Sequence, residues 1–181
     1  MLKNSSKSYG WISIVIHWIM ATAIFFVFGL GLYMVELTYY DAWYKGSLDL
    51  HKNLGMVLLG LLILRFFWRV INTQPKVLAG PKWQQVMAHW MHHGLYLVML
   101  LLMVSGYLIS TADGRAIVIF DLLNVPALPW HIENQEDIAG EIHAILSWLL
   151  IAMSAAHALA AFKHHFINKD DTLKRILKPT P

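Results

Sequence analysis

The sequence predicts an all-α integral membrane protein, a bundle of four transmembrane helices with both termini in the cytoplasm. Hydrophobic residues make up 57% of the 181 residues and charged residues only 14%, whereas an average soluble domain is about 25% charged. Long stretches without Asp, Glu, Lys or Arg recur along the chain, and basic residues are concentrated in alternate loops. This composition argues against an ordinary soluble enzyme.

Two further features of the composition exclude other classes of function. The net charge is only +3, which gives no support to nucleic-acid binding. Cysteine is absent, so disulfides, thiolate metal sites and a cysteine nucleophile are excluded. Any metal must therefore be held by other side chains.

Four segments are apolar and long enough to cross a hydrocarbon core about 30 Å thick. Three of them contain uncharged runs, which are Ser8–Val35, Trp83–Ala112 and Ile142–Phe162. The fourth has an uncharged run of only 12 residues, Asn53–Leu64, which is flanked by Lys52 and Arg65 within the segment, and these two charges need an explanation. Because backbone polar groups in lipid must be paired internally, and no strand-like alternation is present, we expect helices. The predicted helices cover about 10–36, 48–70, 84–111 and 140–166.

The charges beside the loops orient these helices. The side of the membrane with the amino end, loop 71–83 and tail 167–181 holds all but three of the 14 basic residues when the adjoining helix ends, from Arg65 to Lys82 and from Lys163 onward, are counted with it. By the positive-inside rule this side is cytoplasmic, and loops 37–47 and 112–139 lie outside. The amino end also resembles a secretory signal, but its apolar run is about twice as long as a signal core and lacks a cleavage site. We therefore expect one membrane domain that covers residues 1–181.

Four histidines fall within the predicted helices, where an ionisable side chain is costly and becomes a functional candidate. His17 lies about 9 Å in from the cytoplasmic side at 1.5 Å per residue, and His157 lies at a similar depth. His51 and His143 lie about 5 Å in from the outer side. The sequence thus predicts two pairs of histidines, one pair in each leaflet.

The two histidines of the fourth helix are 14 residues apart, which returns them to nearly one face about 21 Å apart. The same step leads from His17 to Gly31 and from His51 to Arg65. Gly31 would leave room for a flat macrocycle held by the outer pair. Arg65 would place a cation beside the propionates of a haem held by the inner pair. Gly55, one turn below His51, fits the same interpretation.

Neutral imidazole is a common axial ligand of haem iron, and a helix bundle can present two such ligands from facing helices. We therefore predict two b-type haems, each held by two histidines and stacked across the membrane. Two other interpretations remain open. The histidines could be polar groups that bond neighbouring helices, or they could bind zinc or copper, although each pair lacks a third and fourth ligand.

Other residues have weaker support. Lys52 is a candidate partner of a propionate of the outer haem. His92 lies in the inner part of the third helix, with Gly106 14 residues further on, and could face a haem edge or a quinone. His164 continues the face of the inner ligand and is a second quinone candidate. The alternative for His92 is a histidine at a helix end in the membrane interface, and the alternative for His164 is a solvated basic helix end. No catalytic residue is assigned.

Short motifs are distributed over nearly the whole chain. They are I-x-I-H-W at Ile14–Trp18, H-K-N-L-G at His51–Gly55, L-x-x-R-x-x-W-R ending at Arg69, H-x-x-L-Y at His92–Tyr96, S-G-Y at Ser105–Tyr107 and H-H-x-x-x-K-D-D-T-L-x-R at His164–Arg175. Together they resemble the bacterial cytochrome b561 family of four-helix di-haem membrane proteins.

The resemblance implies two b haems in a bacterial inner membrane protein, one ligated by His17 with His157 and the other by His51 with His143. It also implies electron exchange with the quinone pool. Some members of the family oxidise superoxide at the outer face and reduce ubiquinone.

We expect an oxidoreductase that relays single electrons between two haems, with a small donor at one face and ubiquinone as the other partner. Lys45, Lys52 and Arg115 are the outer cations that could attract superoxide, but most of the 11 acidic residues surround them. The chain could instead be a haem-bearing anchor subunit of a dehydrogenase or hydrogenase complex. A histidine-lined transporter is a further alternative, although no internal repeat supports it.

Overall fold

A computed structural model of the protein describes residues 1–78, 80–130 and 132–179. Residues 79, 131, 180 and 181, which belong to the predicted loops 71–83 and 112–139 and to the predicted tail, lie outside the described residues. The elements, in chain order, are α1 (Trp11–Val35), α2 (Tyr44–Ile71), α3 (Lys82–Ser110), β1 (Ile117–Ile119), β2 (Leu123–Val125), α4 (Gln135–Phe166) and α5 (Lys174–Leu177). The helices α1 to α4 are long and apolar enough to cross a membrane. The predicted four-helix membrane fold is confirmed, and the side on which the termini lie stays a prediction.

The four long helices pack in chain order, α1 against α2, α2 against α3 and α3 against α4. The rings of Phe28 and Trp148, with centroids 5.0 Å apart, join α1 to α4. All four helices therefore enclose a common interior, into which α4 presents side chains along its length.

A layer of buried apolar side chains fills the middle of this interior. It lies between the level of the inner histidine pair and the level of the outer pair, and it contains Met20, Val27, Leu58, Leu62, Val98, Met99, Met103 and Leu150. Large apolar side chains also cover the outside of the bundle, among them Phe25, Phe26, Phe67 and Trp148. An apolar exterior of this extent is unfavourable in water and stable in lipid. The backbone polar groups need no water there, because they are hydrogen-bonded within the helices.

The outer ends of two helices differ from the prediction. Helix α2 begins at Tyr44, one turn earlier than expected, and α4 begins at Gln135, also more than one turn early. The prediction counted residues that lipid can accept, whereas these first turns extend beyond the apolar segment. In α4 the first turn carries Glu136 and Asp137, which interact favourably with the positive end of the helix dipole.

The outer loop between α3 and α4 contains a β-hairpin that the sequence did not predict. Strands β1 and β2 are antiparallel, with Ile117 opposite Val125 and Ile119 opposite Leu123. Each strand has only three residues, which is too short to produce a recognisable alternation of apolar and polar residues.

The tail ties together the end of the bundle opposite this hairpin. The Arg175 guanidinium donates hydrogen bonds to the carbonyl oxygen of Lys7 at 2.7 Å and to that of Lys76 at 3.0 Å. The indole N–H of Trp18 donates to the carbonyl of Ile176 at 2.8 Å. The amino end, the loop between α2 and α3, and the tail therefore meet at one end, as the grouping of basic residues predicted.

Candidate functional site

The outer histidines of α2 and α4 lie opposite each other in the bundle. The ring centroids of His51 and His143 are 6.2 Å apart, and the ring planes are inclined by 67°. Two metal–nitrogen bonds of about 2 Å and two ring radii of about 1.1 Å give roughly 6 Å between imidazoles on opposite sides of one metal ion. The spacing thus suits a single iron between the two rings.

The inner histidines of α1 and α4 have nearly the same arrangement. The ring centroids of His17 and His157 are 6.4 Å apart, at an interplanar angle of 71°. His92 of α3 joins this group, because its ring centroid is 5.2 Å from that of His157. Within the described residues, no group of three or more His, Asp or Glu side chains has the arrangement of a metal site of its own.

Hydrogen bonds orient the ring of His143. Its Nδ1 is 3.0 Å from the carbonyl oxygen of Leu102 and 3.1 Å from the Ser105 hydroxyl oxygen. An N–H at Nδ1 can donate to these acceptors, which leaves the Nε2 lone pair free for a metal. Ser105, which sequence reasoning missed as a functional residue, belongs to the S-G-Y motif, but its contact with α4 becomes evident only in the folded bundle.

A glycine of the preceding helix lies against each outer imidazole. A Cβ at Gly31 would be 3.1 Å from Cε1 of His51, and a Cβ at Gly106 would be 3.1 Å from Cε1 of His143. The sequence prediction assigned the space at Gly31 to a macrocycle, but the His51 ring occupies it. Gly106 likewise faces an imidazole, that of His143. Each glycine lets two helices approach closely enough to hold a ring between them.

The outer pair lines a cavity of about 1040 Å³, its open mouth included. A Cβ at Gly55 would have no atom within 4 Å, so this glycine borders open space, as predicted. The rest of the lining is largely apolar, with Val27, Phe28, Leu58, Leu102, Met103 and Leu150 among its residues. An apolar cavity with two facing imidazoles fits a b-type haem, whose ring is apolar and whose iron takes histidine ligands.

Arg65 lies at the inner pair, where the sequence predicted it. Its Nη2 is 3.0 Å from Nδ1 of His17, and its guanidinium lies 5.8 Å from the centre of the Tyr96 ring. Because arginine only donates, His17 must accept this bond at Nδ1 and carry its proton on Nε2. Metal binding through Nε2 requires the opposite tautomer, so Arg65 would then need another acceptor. A propionate has the charge and the geometry for that role.

The structure also places the three weaker candidates. Lys52 lines the outer cavity, but its ammonium is 3.0 Å from a carboxylate oxygen of Asp49. His92 lies beside the inner pair, as described above. The Nδ1 of His164 is 2.6 Å from a carboxylate oxygen of Asp170, so this histidine is bonded to the turn that starts the tail.

Residues 8–179 match the family model described as prokaryotic cytochrome b561. The chain is 43% identical over 175 residues to cytochrome b561 homolog 2 of Escherichia coli (strain K12), across 96% of this chain and 93% of that protein. It is 26% identical over 180 residues to the probable superoxide oxidase CybB of Yersinia pestis, across 94% of this chain and 96% of that protein. It is 29% identical over 132 residues to cytochrome b561 homolog 1 of Escherichia coli (strain K12), across 71% and 73% of the two chains.

The family model and the first two relatives cover nearly the whole chain, and they confirm the resemblance drawn from the motifs. The four apolar helices and the family together confirm a multi-pass protein of the bacterial inner membrane. Haem b is the cofactor that the family implies. The chain therefore belongs to the prokaryotic cytochrome b561 family of membrane electron-transfer proteins.

Proposed function

We propose that this protein is a di-haem oxidoreductase that carries single electrons across the inner membrane between a small donor at the outer face and ubiquinone. The observation that carries the proposal is the presence of two histidine pairs with ring separations of 6.4 and 6.2 Å. Both separations would suit two histidine ligands on one iron. Each bound haem would supply one-electron chemistry, so a two-electron quinone could be served in single steps.

The chain's own side chains would hold the haems in position. His17 and His157 would ligate the inner haem, and His51 and His143 the outer one. The two ligands on α4 are 14 residues apart, or about 21 Å along the helix axis. The apolar layer between the two levels would exclude water and fix this separation.

The charges near the outer site bear on the identity of the donor. Lys52 is paired with Asp49, and the Arg115 guanidinium is paired with the Asp113 carboxylate. The hydrogen bonds from Arg115 hold the pKa of Asp113 below its usual range, so this partner is ionised at neutral pH. Two of the three outer cations thus have an anionic neighbour, which weakens the long-range attraction of an anion. Superoxide, suggested by the relative named as a probable superoxide oxidase, would have to be captured at short range.

Haem content tests the ligand assignment. We expect about two haems per purified chain. Each of His17→Ala, His157→Ala, His51→Ala and His143→Ala should lose one haem and retain the other, and the two members of a pair should lose the same spectral component. His89→Ala is the matched control, because His89 is an exposed histidine of α3. A ratio of one haem in the unaltered protein would refute the pairing.

A kinetic assay tests the donor and the acceptor. The oxidised protein is reconstituted in vesicles with ubiquinone and mixed rapidly with superoxide, while absorption of the haems is recorded. We expect rapid haem reduction, followed by reoxidation that depends on ubiquinone. Absence of reduction by superoxide would refute this donor. If ubiquinol also fails to reduce the isolated protein, the alternative of an anchor subunit for a dehydrogenase or hydrogenase complex is favoured.

A further inference from the structure

The β-hairpin of the outer loop is attached to two of the transmembrane helices. The backbone N–H of Phe120, at its tip, donates to the side-chain oxygen of Asn53 at 3.1 Å. At its base, the Tyr107 hydroxyl donates to the carbonyl oxygen of Pro126 at 2.7 Å. The hairpin therefore extends from α3 to α2 along the side of the bundle.

The position of Asn53 determines the depth of the tip. Asn53 follows His51 by two residues, so it lies about 3 Å nearer the membrane centre than the outer histidine. It is also nine residues beyond the start of α2 at Tyr44, which corresponds to about 13 Å below the outer end of this helix. The tip of the hairpin is thus level with the outer histidine pair and does not project above the bundle.

The two faces of the hairpin differ. Ile117 is only 6% exposed and lines the outer cavity. Apolar side chains at and next to the tip are exposed, with Leu122 at 90%, Leu123 at 59% and Phe120 at 47%. A cluster of such side chains is unfavourable in water and marks a contact with another apolar phase. Val57 of α2, four residues after Asn53, and Val104 of α3, three residues before Tyr107, are each 40% exposed. The exposed cluster therefore lies beside apolar side chains on the outside of two helices that are apolar enough to cross a membrane.

We propose that the hairpin Ile117–Val125 lies in the outer interface of the bilayer and that membrane lipid is the partner of its exposed apolar cluster. Phe120, Leu122 and Leu123 contact the upper parts of the acyl chains. The carboxylate of Asp121, at the tip, must keep contact with water or headgroups and thereby limits the depth of insertion. Lipid thereby holds Ile117 against the outer cavity and closes the side of this cavity between α2 and α3.

The absence of cysteine from the sequence permits a direct test with single-cysteine variants. A fluorophore is attached to Leu122→Cys in the haem-loaded protein, reconstituted in phosphatidylcholine and phosphatidylglycerol vesicles. Emission is compared with and without brominated acyl chains, and with and without iodide in the outer solution. The aqueous control is Tyr40→Cys, in the other outer loop and 94% exposed, and the lipid control is Phe26→Cys, 54% exposed in α1.

We expect brominated lipid to quench the Leu122 label several-fold more than the Tyr40 label, and iodide to quench the Tyr40 label several-fold more than the Leu122 label. If the Leu122 label is quenched to the same extent as the Tyr40 label, the proposal is overturned. The exposed apolar cluster would then bind a partner from the aqueous phase. If Leu122→Cys does not bind haem normally, Leu123→Cys provides the same comparison. Because haem loading is measured separately, failure of the haem assignment is distinguishable from failure of this proposal.

Discussion

Replacing the glycines that lie against the outer histidines should disturb the outer haem selectively. In Gly31→Ala the new methyl group would lie 3.1 Å from Cε1 of His51, and in Gly106→Ala it would lie 3.1 Å from Cε1 of His143. Ordinary van der Waals contacts of a Cβ begin at 3.4 Å, so the ring must move by a few tenths of an ångström. The opposite histidine and the apolar core restrict this movement.

The expected magnitude follows from two opposed effects. Overpacking a well-filled interior costs about 1–3 kcal/mol, and alanine in place of glycine in a helix gains about 1 kcal/mol. The net cost in the free energy of unfolding is therefore about 0–2 kcal/mol, and a cost of this size carried by the haem-bound state alone corresponds to at most a roughly 30-fold loss of outer haem affinity. A displaced imidazole would be a different ligand for the haem iron, so the potential and the absorption band of the outer haem should shift.

The assay is a redox titration monitored by absorption, combined with haem content per chain. Gly29→Ala and Gly140→Ala are the controls, because a Cβ at either position would have no atom within 4 Å. These controls should stabilise their helices by about 0.5–1 kcal/mol and leave both haems unchanged. An outer haem in Gly31→Ala that matches the one in Gly29→Ala would refute the reasoning. Equal changes in the inner and outer haems would indicate a general disturbance of the bundle.

Three further changes should give distinct results. Arg65→Gln removes a cation beside the inner histidine pair, so the reduction potential of the inner haem should fall by tens of mV, on the order of a tenfold change in its reduction equilibrium. An unchanged inner potential would show that the guanidinium does not lie beside the bound haem. Ser105→Ala removes one of the two hydrogen-bond acceptors near Nδ1 of His143 and leaves the Leu102 carbonyl. The His143 imidazole becomes a less basic ligand, so the reduction potential of the outer haem should rise slightly. A redox titration that compares the outer haem with the inner haem checks this. Arg175→Gln should release the tail from the bundle, so proteolysis of the tail should be faster while the spectrum of the outer haem is unchanged. A variant whose tail resists protease as well as the unaltered protein does would contradict this prediction.

The sequence by itself determined the elements that depend on local properties of the chain. Hydrophobicity over about 20 residues is a property of each segment, so the number of helices could be predicted from it. The depth of each histidine and the 14-residue spacing between His143 and His157 follow from the regular rise and turn of a helix. The pairing of histidines could therefore be proposed before any contact between helices was known.

Only the tertiary structure decided which residue of one helix faces which residue of another. Gly31 was predicted to face a macrocycle, but the rotation of α1 against α2 brings it against the His51 ring. The contact between Ser105 and His143 likewise depends on how α3 packs against α4. Helix rotation and crossing result from the packing of all the side chains at an interface, and no single helix encodes them.

The outer loop shows the same limit for non-local contacts. The hairpin forms because Ile117 is buried over the cavity and Phe120 is bonded to Asn53. These partners are far apart in the sequence, and strands of three residues have little stability alone. Lys52 and Asp49 are close in the sequence, and their ion pair is exposed. The place of Lys52 in the lining of the cavity depends on all four helices, because the cavity exists only between them.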